Sequence, residues 1–308
     1  MPIPRTVFIF PAFVSDYLED QSREITGFTN VFYPLLEQAA TLIDPELFEF
    51  HPVTKNFLDQ ELRNQLISYI QSYSCARLLR SRNIIPDFLA GYSMGLYGAL
   101  TDAGSISFKE GLFLIINAFE NIFSTIREGD FSMGIVIGLN KEDIKGLISK
   151  TDPLTEISNQ NSEFSFVLSG TTGSLAALLK MAKEEGAIHT RKMQVGIPYH
   201  SNFLKEASTG FSTFVHSIPI RQPTVPVISV IDQTLIDSPG RCSTELIRNL
   251  FQPFNWYQTH LKLVGLGVKT FIESGPVPGL VKIARFIPGN ASYMTVLAAL
   301  SAPPVSDL

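Results

Sequence analysis

Asp87-Phe88-Leu89-Ala90-Gly91-Tyr92-Ser93-Met94-Gly95-Leu96-Tyr97-Gly98-Ala99-Leu100 is the stretch on which the fold turns. Asp87 to Ala90 predicts a short apolar strand, the run from Leu96 predicts a helix, and Gly91 to Gly95 between them matches the pattern G-x-S-x-G. Strand, tight turn and helix in immediate succession form the unit from which a parallel sheet covered by helices is built. Such a bend forces Ser93 into strained backbone, and the flanking glycines leave room for its hydroxyl to project above the sheet. The Met94 amide then sits at a helix N-terminus, where an unpaired N–H and the helix dipole suit a developing oxyanion. A chain with 21 glycines can produce five such residues by chance, so the weight rests on the flanking strand and helix. The alternative is an ordinary glycine-rich turn.

Working outward, Thr6 to Phe10 reads as a buried first strand. Leu58, Leu62, Leu66, Ile70 and Tyr73 recur every three or four positions, which predicts an amphipathic helix over Phe57 to Arg80. Gly111 to Ile126 is apolar but contains Asn117, Glu120, Asn121, Ser124 and Thr125, so it predicts a buried helix and is too short and polar to span a bilayer. Between residues 129 and 196 the rhythm changes. Strands at Ser132 to Leu139, Phe164 to Ser169 and Ile188 to Val195 alternate with helices at Lys141 to Lys150 and Gly173 to Glu185, a compact α+β subdomain inserted in a larger domain. Beyond Pro223, strands at Val225 to Ile231 and Thr270 to Glu273 alternate with helices at Thr244 to Phe251, Trp256 to Val264 and Leu280 to Arg285. The expected architecture is α/β: a large domain with a parallel sheet over 1–128 and 197–308, and a small subdomain over 129–196.

Composition narrows the class. The 308 residues carry 24 Lys plus Arg against 29 Asp plus Glu, a formal charge of −5, with 45% apolar residues and 23 Phe. That is too apolar for a disordered chain, and the acidic balance argues against nucleic acid as a partner. The N-terminal apolar run lacks the length and cleavage site of a signal peptide. Cys75 and Cys242 form no metal or redox spacing, so no metal is expected and a reducing cytoplasm is the expected location, with no membrane partner.

A serine nucleophile requires a base within hydrogen-bond reach. The chain has five histidines, His51, His189, His200, His216 and His260. His200 follows the last subdomain strand, where the chain re-enters the large domain and a cleft is expected. His216 and His260 lie in helical stretches and read as surface or packing residues.

Phe8-Ile9-Phe10-Pro11, the turn around Ser93, Met133-Gly134-Ile135-Val136-Ile137-Gly138-Leu139, Asn161-Ser162 leading to Val167-Leu168-Ser169-Gly170, Ile197-Pro198-Tyr199-His200 and Ile272-Glu273-Ser274-Gly275-Pro276 together resemble the malonyl-CoA:acyl carrier protein transacylase family, which includes the acyltransferase domains of polyketide synthases. The likeness extends over nearly the whole chain. It implies a hydrolase-like α/β domain with a ferredoxin-like insert. It also implies a Ser-His dyad: Ser93 takes an acyl group from a thioester with His200 as base, then passes it to a phosphopantetheine thiol. In the family a backbone carbonyl at the position of Asn249 holds the histidine, and the amides of Phe13 and Met94 would form the oxyanion hole. Glu273 matches a structural turn.

Departures from the family pattern bear on specificity. Tyr92 stands where the family has His, and Ala12-Phe13-Val14 replaces Gly-Gln-Gly. The arginine that pairs with a malonyl carboxylate is replaced by Ala118, between Asn117 and Phe119, and no Lys or Arg occurs from Gly111 to Ile126. Burying a carboxylate there costs several kcal/mol of hydration with no bidentate partner to offset it. A pocket of Tyr92, Asn117, Ala118, Phe119 and Tyr199, with Phe123 adding to its apolar lining, therefore suits an uncharged acyl chain. Arg191, Lys192, Lys282 and Arg285 would form a rim for an acidic acyl carrier protein, and they read equally well as scattered surface charges.

The expected function is transfer of a non-carboxylated acyl group between CoA or acyl carrier protein thioesters, in polyketide or fatty acid biosynthesis. CoA or phosphopantetheine enters as substrate, with no bound cofactor. The alternatives are an acyl hydrolase that acts on carrier proteins and a noncatalytic carrier-protein-binding relative.

Overall fold

A computed structural model of the chain describes residues 5–12, 24–44, 57–126, 130–151 and 154–302. In chain order the strands are β1 (Arg5–Phe10), β2 (Phe88–Gly91), β3 (Phe131–Ile137), β4 (Thr155–Ser162), β5 (Ser165–Thr171), β6 (His189–Lys192), β7 (Val227–Ile228), β8 (Leu235–Ile236), β9 (Phe254–Asn255), β10 (Val268–Glu273) and β11 (Ser292–Thr295).

β1 explains the large sheet. Val7, Phe8, Ile9 and Phe10 are all buried, a continuous apolar run of the kind a strand needs when both faces are covered. Phe8 and Phe10 pack into the core with Leu89, Leu96 and Leu100, whereas Val7 and Ile9 pack on the opposite side with Phe88, Phe271 and Trp256. The sheet order is β11-β10-β1-β2-β7-β8, parallel throughout except for the antiparallel β7–β8 edge. Phe10 pairs with Gly91 and Ile9 with Glu273, so the carboxyl ends of β1, β2 and β10 finish together. In open parallel sheets that is the end at which ligands bind.

The turn after β2 is close-packed. A Cβ on Gly95 would lie 2.0 Å from the Phe10 carbonyl oxygen, and one on Gly91 would lie 2.3 Å from the Leu96 nitrogen. The helix Gly95–Asp102 therefore starts directly against β1, which only glycine permits.

The second sheet has the order β6-β3-β5-β4-β9. Between residues 131 and 192 the chain runs β-α-β-β-α-β, with helices Lys141–Lys150 and Thr172–Glu184 covering one face over Val136, Phe166 and Leu168. This is the split βαβ pattern. β4 was not expected from its sequence, Thr-Glu-Ile-Ser-Asn-Gln-Asn-Ser, which has almost no apolar alternation. Its polar side chains bond to neighbours instead: Ser158 to Ser169, Asn159 Nδ2 to Tyr92 at 2.5 Å, and Asn255 Nδ2 to Gln160 Oε1 at 3.0 Å, although Thr155 Oγ1 and Asn159 Oδ1 are buried without a partner. The edge strand β9 pairs parallel with β4 and comes from residues 254–255, outside the 129–196 span, so the second sheet takes one strand from the later part of the chain.

The helix Phe57–Ser81 differs from the amphipathic expectation. It buries Leu66, Ile70 and Leu79, and it also buries Glu61, Gln65, Ser68 and Ser72. Those four are spaced as one helical stripe and face the carboxyl end of the sheet. Among the described residues, no helix is long and apolar enough to cross a membrane.

Candidate active site

Ser93 occupies the bend between β2 and its helix with φ +55°, the left-handed region that a non-glycine residue adopts only under constraint. The constraint is visible: Tyr92 N–H donates to the Phe10 carbonyl at 2.9 Å, Gly95 N–H to the Tyr92 carbonyl at 2.9 Å, and Leu96 N–H to the Ser93 carbonyl at 3.1 Å. The Met94 amide has no such partner among the described residues and lies at the helix N-terminus. Phe13, expected to supply a second amide, lies outside the described residues, as does His51.

His200 reaches Ser93 from across the cleft, with its Nε2 2.7 Å from the serine Oγ. Its own φ is +56°, and its backbone N–H donates to the Leu250 carbonyl at 3.3 Å. The ring packs edge-on against Phe254 at 4.7 Å. Burial pushes the imidazole pKa down to about 4, against the opposing pull of the backbone at Gln252 and Asn249. The buried Nδ1 lies near those backbone groups but makes no hydrogen bond of full geometry. Asn249 also acts through its side chain, whose Nδ2 donates to the Ser93 carbonyl at 3.1 Å. Arg248 ties this segment down, with Nε donating to Gln252 Oε1 at 2.9 Å and Nη1 to Asp232 at 2.6 Å.

Two cavities meet at this pair. A cleft of about 500 Å³ opens between the sheets, bounded by Tyr92, Met133, Asn159, Arg191, Lys192 and Phe254 along with Ser93, Tyr199 and His200. A second space of about 20 Å³ lies on the other side of Ser93, walled by Gln65, Met94, Tyr97, Ala118, Phe119, Ile122, Tyr199, Asn249 and Leu250. Among the described residues, no Lys or Arg lines the smaller cavity. Ala118 and Phe119 thus flank Ser93, and Phe119 packs on Phe123 at 4.4 Å.

Other predicted residues fall elsewhere. Tyr92 faces the larger cleft, with its ring edge-on to Phe254 and Trp256 and its hydroxyl donating to Asn161 Oδ1 at 2.9 Å. Asn117 points away from both cavities and accepts from Asn121 through its carbonyl at 2.8 Å and its Oδ1 at 3.1 Å. Lys282 and Arg285 are exposed at the helix Leu280–Ala284 and do not line the cleft that Arg191 and Lys192 border. Glu273 is buried and accepts the amides of Gly279, Leu280 and Val281, each at 2.8 Å, so it ties the start of that helix. His216 is exposed, and His260 is buried against Tyr293, with Nδ1 2.6 Å from the hydroxyl. No group of three His, Cys, Asp or Glu side chains that could hold a metal ion occurs among the described residues.

Sequence reasoning missed Glu61 and Gln65. Gln65 Nε2 donates to the Tyr199 hydroxyl at 2.5 Å and to Glu61 Oε1 at 3.3 Å, and Tyr199 donates to the same Oε1 at 3.2 Å. The available signal was a polar pair at i, i+4 inside a helix otherwise rich in buried positions.

The model of the acyl transferase domain matches residues 67–287. The chain belongs to the acyl transferase domain family. It is 31% identical over 209 residues to the malonyl CoA-acyl carrier protein transacylase of Bacillus subtilis, covering 66% of each chain, and 24% identical over 290 residues to that of Staphylococcus aureus strain MRSA252, covering 90% of this chain and 92% of the relative. In fold it matches the malonyl CoA-acyl carrier protein transacylase of Coxiella burnetii at TM-score 0.88 and 24% identity, over 96% of this chain and 95% of that one. A type II PKS acyl-carrier protein in complex with its malonyl-transacylase gives the same TM-score at 23% identity, covering 97% and 98%. In this chain Ala118 lines the smaller cavity together with Ser93.

Proposed function

We propose that this chain transfers a non-carboxylated acyl group between CoA or acyl carrier protein thioesters by way of an acyl-Ser93 intermediate. The observation that carries the reading is the 2.7 Å approach of His200 Nε2 to Ser93 Oγ at the junction of the two cavities. Neutral His200 accepts the serine proton as Oγ attacks the thioester carbon, and the oxyanion forms against the Met94 amide. The tetrahedral adduct collapses with cleavage of the C–S bond, and the imidazolium returns its proton to the departing thiolate. In the second half-reaction an acceptor thiol gives its proton to His200 and attacks the ester, and Ser93 recovers the proton on leaving.

The larger cleft is of a size for a pantetheine arm, and Arg191 and Lys192 on its border suit the phosphate of that arm or an acidic carrier protein. The absence of a cation around the smaller cavity argues against a carboxylated acyl group. Two buried free thiols, Cys75 and Cys242, fit a reducing cytoplasm.

Intact-mass measurement after incubation with acetyl, hexanoyl and malonyl thioesters tests the proposal. An acyl adduct is expected with acetyl, the short uncharged donor, absent in Ser93→Ala, and chased onto carrier-protein thiol, while hexanoyl reports the length limit. Preferential malonyl loading sinks the selectivity, free acid without an acceptor favours a hydrolase, and no adduct with any donor sinks the catalytic reading.

A further inference from the structure

Ala118 explains why the smaller cavity lacks a cation, but the wall opposite is not apolar. Gln65 and Tyr199 form part of it, and both are bonded to the buried carboxyl of Glu61 behind them. This arrangement directs hydrogen atoms away from the cavity. Both amide hydrogens of Gln65 are engaged, one by Tyr199 and one by Glu61, and the phenolic hydrogen of Tyr199 goes to Glu61. With the Gln65 amide hydrogens held by Tyr199 and Glu61, the unpartnered polar atom left on this cavity's lining is an acceptor, the Asn249 Oδ1, which is buried. Tyr97 adds a hydroxyl that can donate or accept. At about 20 Å³ the space holds one or two heavy atoms beyond the reacting carbonyl.

We propose that Glu61 sets the acyl class: the cavity takes a short acyl group whose far end carries a hydrogen-bond donor, a hydroxyl or an amine, and rejects one that ends in a carboxylate. The inference rests on Ser93 being the acyl-accepting nucleophile. A donor satisfies an acceptor that is otherwise buried unpaired, and that mismatch is what discriminates most strongly between near-isosteric substrates. A carboxylate would add a second carboxyl group to a site with Glu61 behind its Gln65–Tyr199 wall and no Lys or Arg among the described residues that line it, an arrangement in which two such groups resist ionising together.

Glycolyl, glycyl and propionyl thioesters have the same number of heavy atoms in the acyl group, so their rates of Ser93 acylation isolate the terminal group. With the wild-type protein, glycolyl or glycyl is expected to exceed propionyl by about fivefold, the worth of one neutral hydrogen bond. Glycolyl alone exceeding propionyl identifies the hydroxyl as the preferred donor, and glycyl alone identifies the amine. Malonyl is expected at least about tenfold below propionyl, from one like-charge neighbour.

Glu61→Leu should reduce the donor preference, because it frees the Gln65 amide while the Asn249 acceptor remains. Glu61→Gln keeps the shape and lets the network reverse its hydrogens, so it should raise malonyl relative to propionyl by about tenfold. Equal rates for the three isosteric donors, or ratios that neither Glu61 variant moves while propionyl still acylates Ser93, would overturn the assignment of Glu61 and leave the acyl-serine reading intact. No acylation by any donor would overturn both.

Discussion

His200 combines two properties that pull in opposite directions. It is buried deeply enough to disfavour its charged form, yet a base must become charged when it accepts the serine proton. With its pKa near 4, the imidazole is neutral and ready to accept across the physiological range. The acylation rate plotted against pH is therefore expected to hold steady down to about pH 5, with an acid-limb midpoint near 4. Stopped-flow acylation of Ser93 checks this, and a midpoint near 6.5 would mean the imidazole is hydrated. The same shift has a sign for stability. Between pH 6.5 and 4 the unfolded chain binds the proton and the folded one does not, so stability falls as pH falls through that window, by about 3 kcal/mol in total. Circular dichroism at each pH separates loss of fold from loss of rate.

At the level of elements, the site depends on how tightly a helix can start against a strand. Gly95 places the first turn of its helix in contact with the β1 backbone, where the neighbouring atom is a carbonyl oxygen that cannot rotate away. Gly95→Ala is expected to destabilise the protein by about 3 kcal/mol, at the upper end of overpacking costs, because the backbone itself must shift. Urea unfolding measures this, and a change below about 1 kcal/mol would show that the helix and β1 separate easily. Element identity was largely legible beforehand: β1, the strand before Ser93 and both helices of the second sheet follow from apolar runs and periodicity. β4 was not legible, because its side chains are polar and its position is stabilised by hydrogen bonds to Ser169 on the next strand and to Tyr92 and Asn255, which lie far away in sequence.

Across the whole molecule, the cleft is lined by residues of both sheets, and Arg191 and Lys192, on edge strand β6, are the Lys and Arg that line it among the described residues. The protein carries a net charge of −5, so attraction of an acidic carrier protein must come from local charge. Arg191→Glu with Lys192→Glu is expected to raise KM for carrier protein about tenfold, with kcat changed less than twofold and the salt dependence of association flattened. Steady-state transfer at several ionic strengths tests this, and an unchanged KM would place docking elsewhere, for instance on the exposed side holding Lys282 and Arg285.

Ser93 could be marked on the sequence because it sits in a local pattern, a bend demanding glycine, whereas His200 had only its place after a subdomain strand, and the position of Ala118 came from the resemblance to the acyltransferase family. The joining of Ser93 to His200 across 107 positions, the separation of Tyr92 from the acyl side and the Glu61-Gln65-Tyr199 network came only with the tertiary structure. The physical reason is range. Steric limits and hydrophobic periodicity act over a few residues and are written locally, whereas hydrogen bonds between buried polar groups depend on which distant segments the packed core brings within 3 Å of one another.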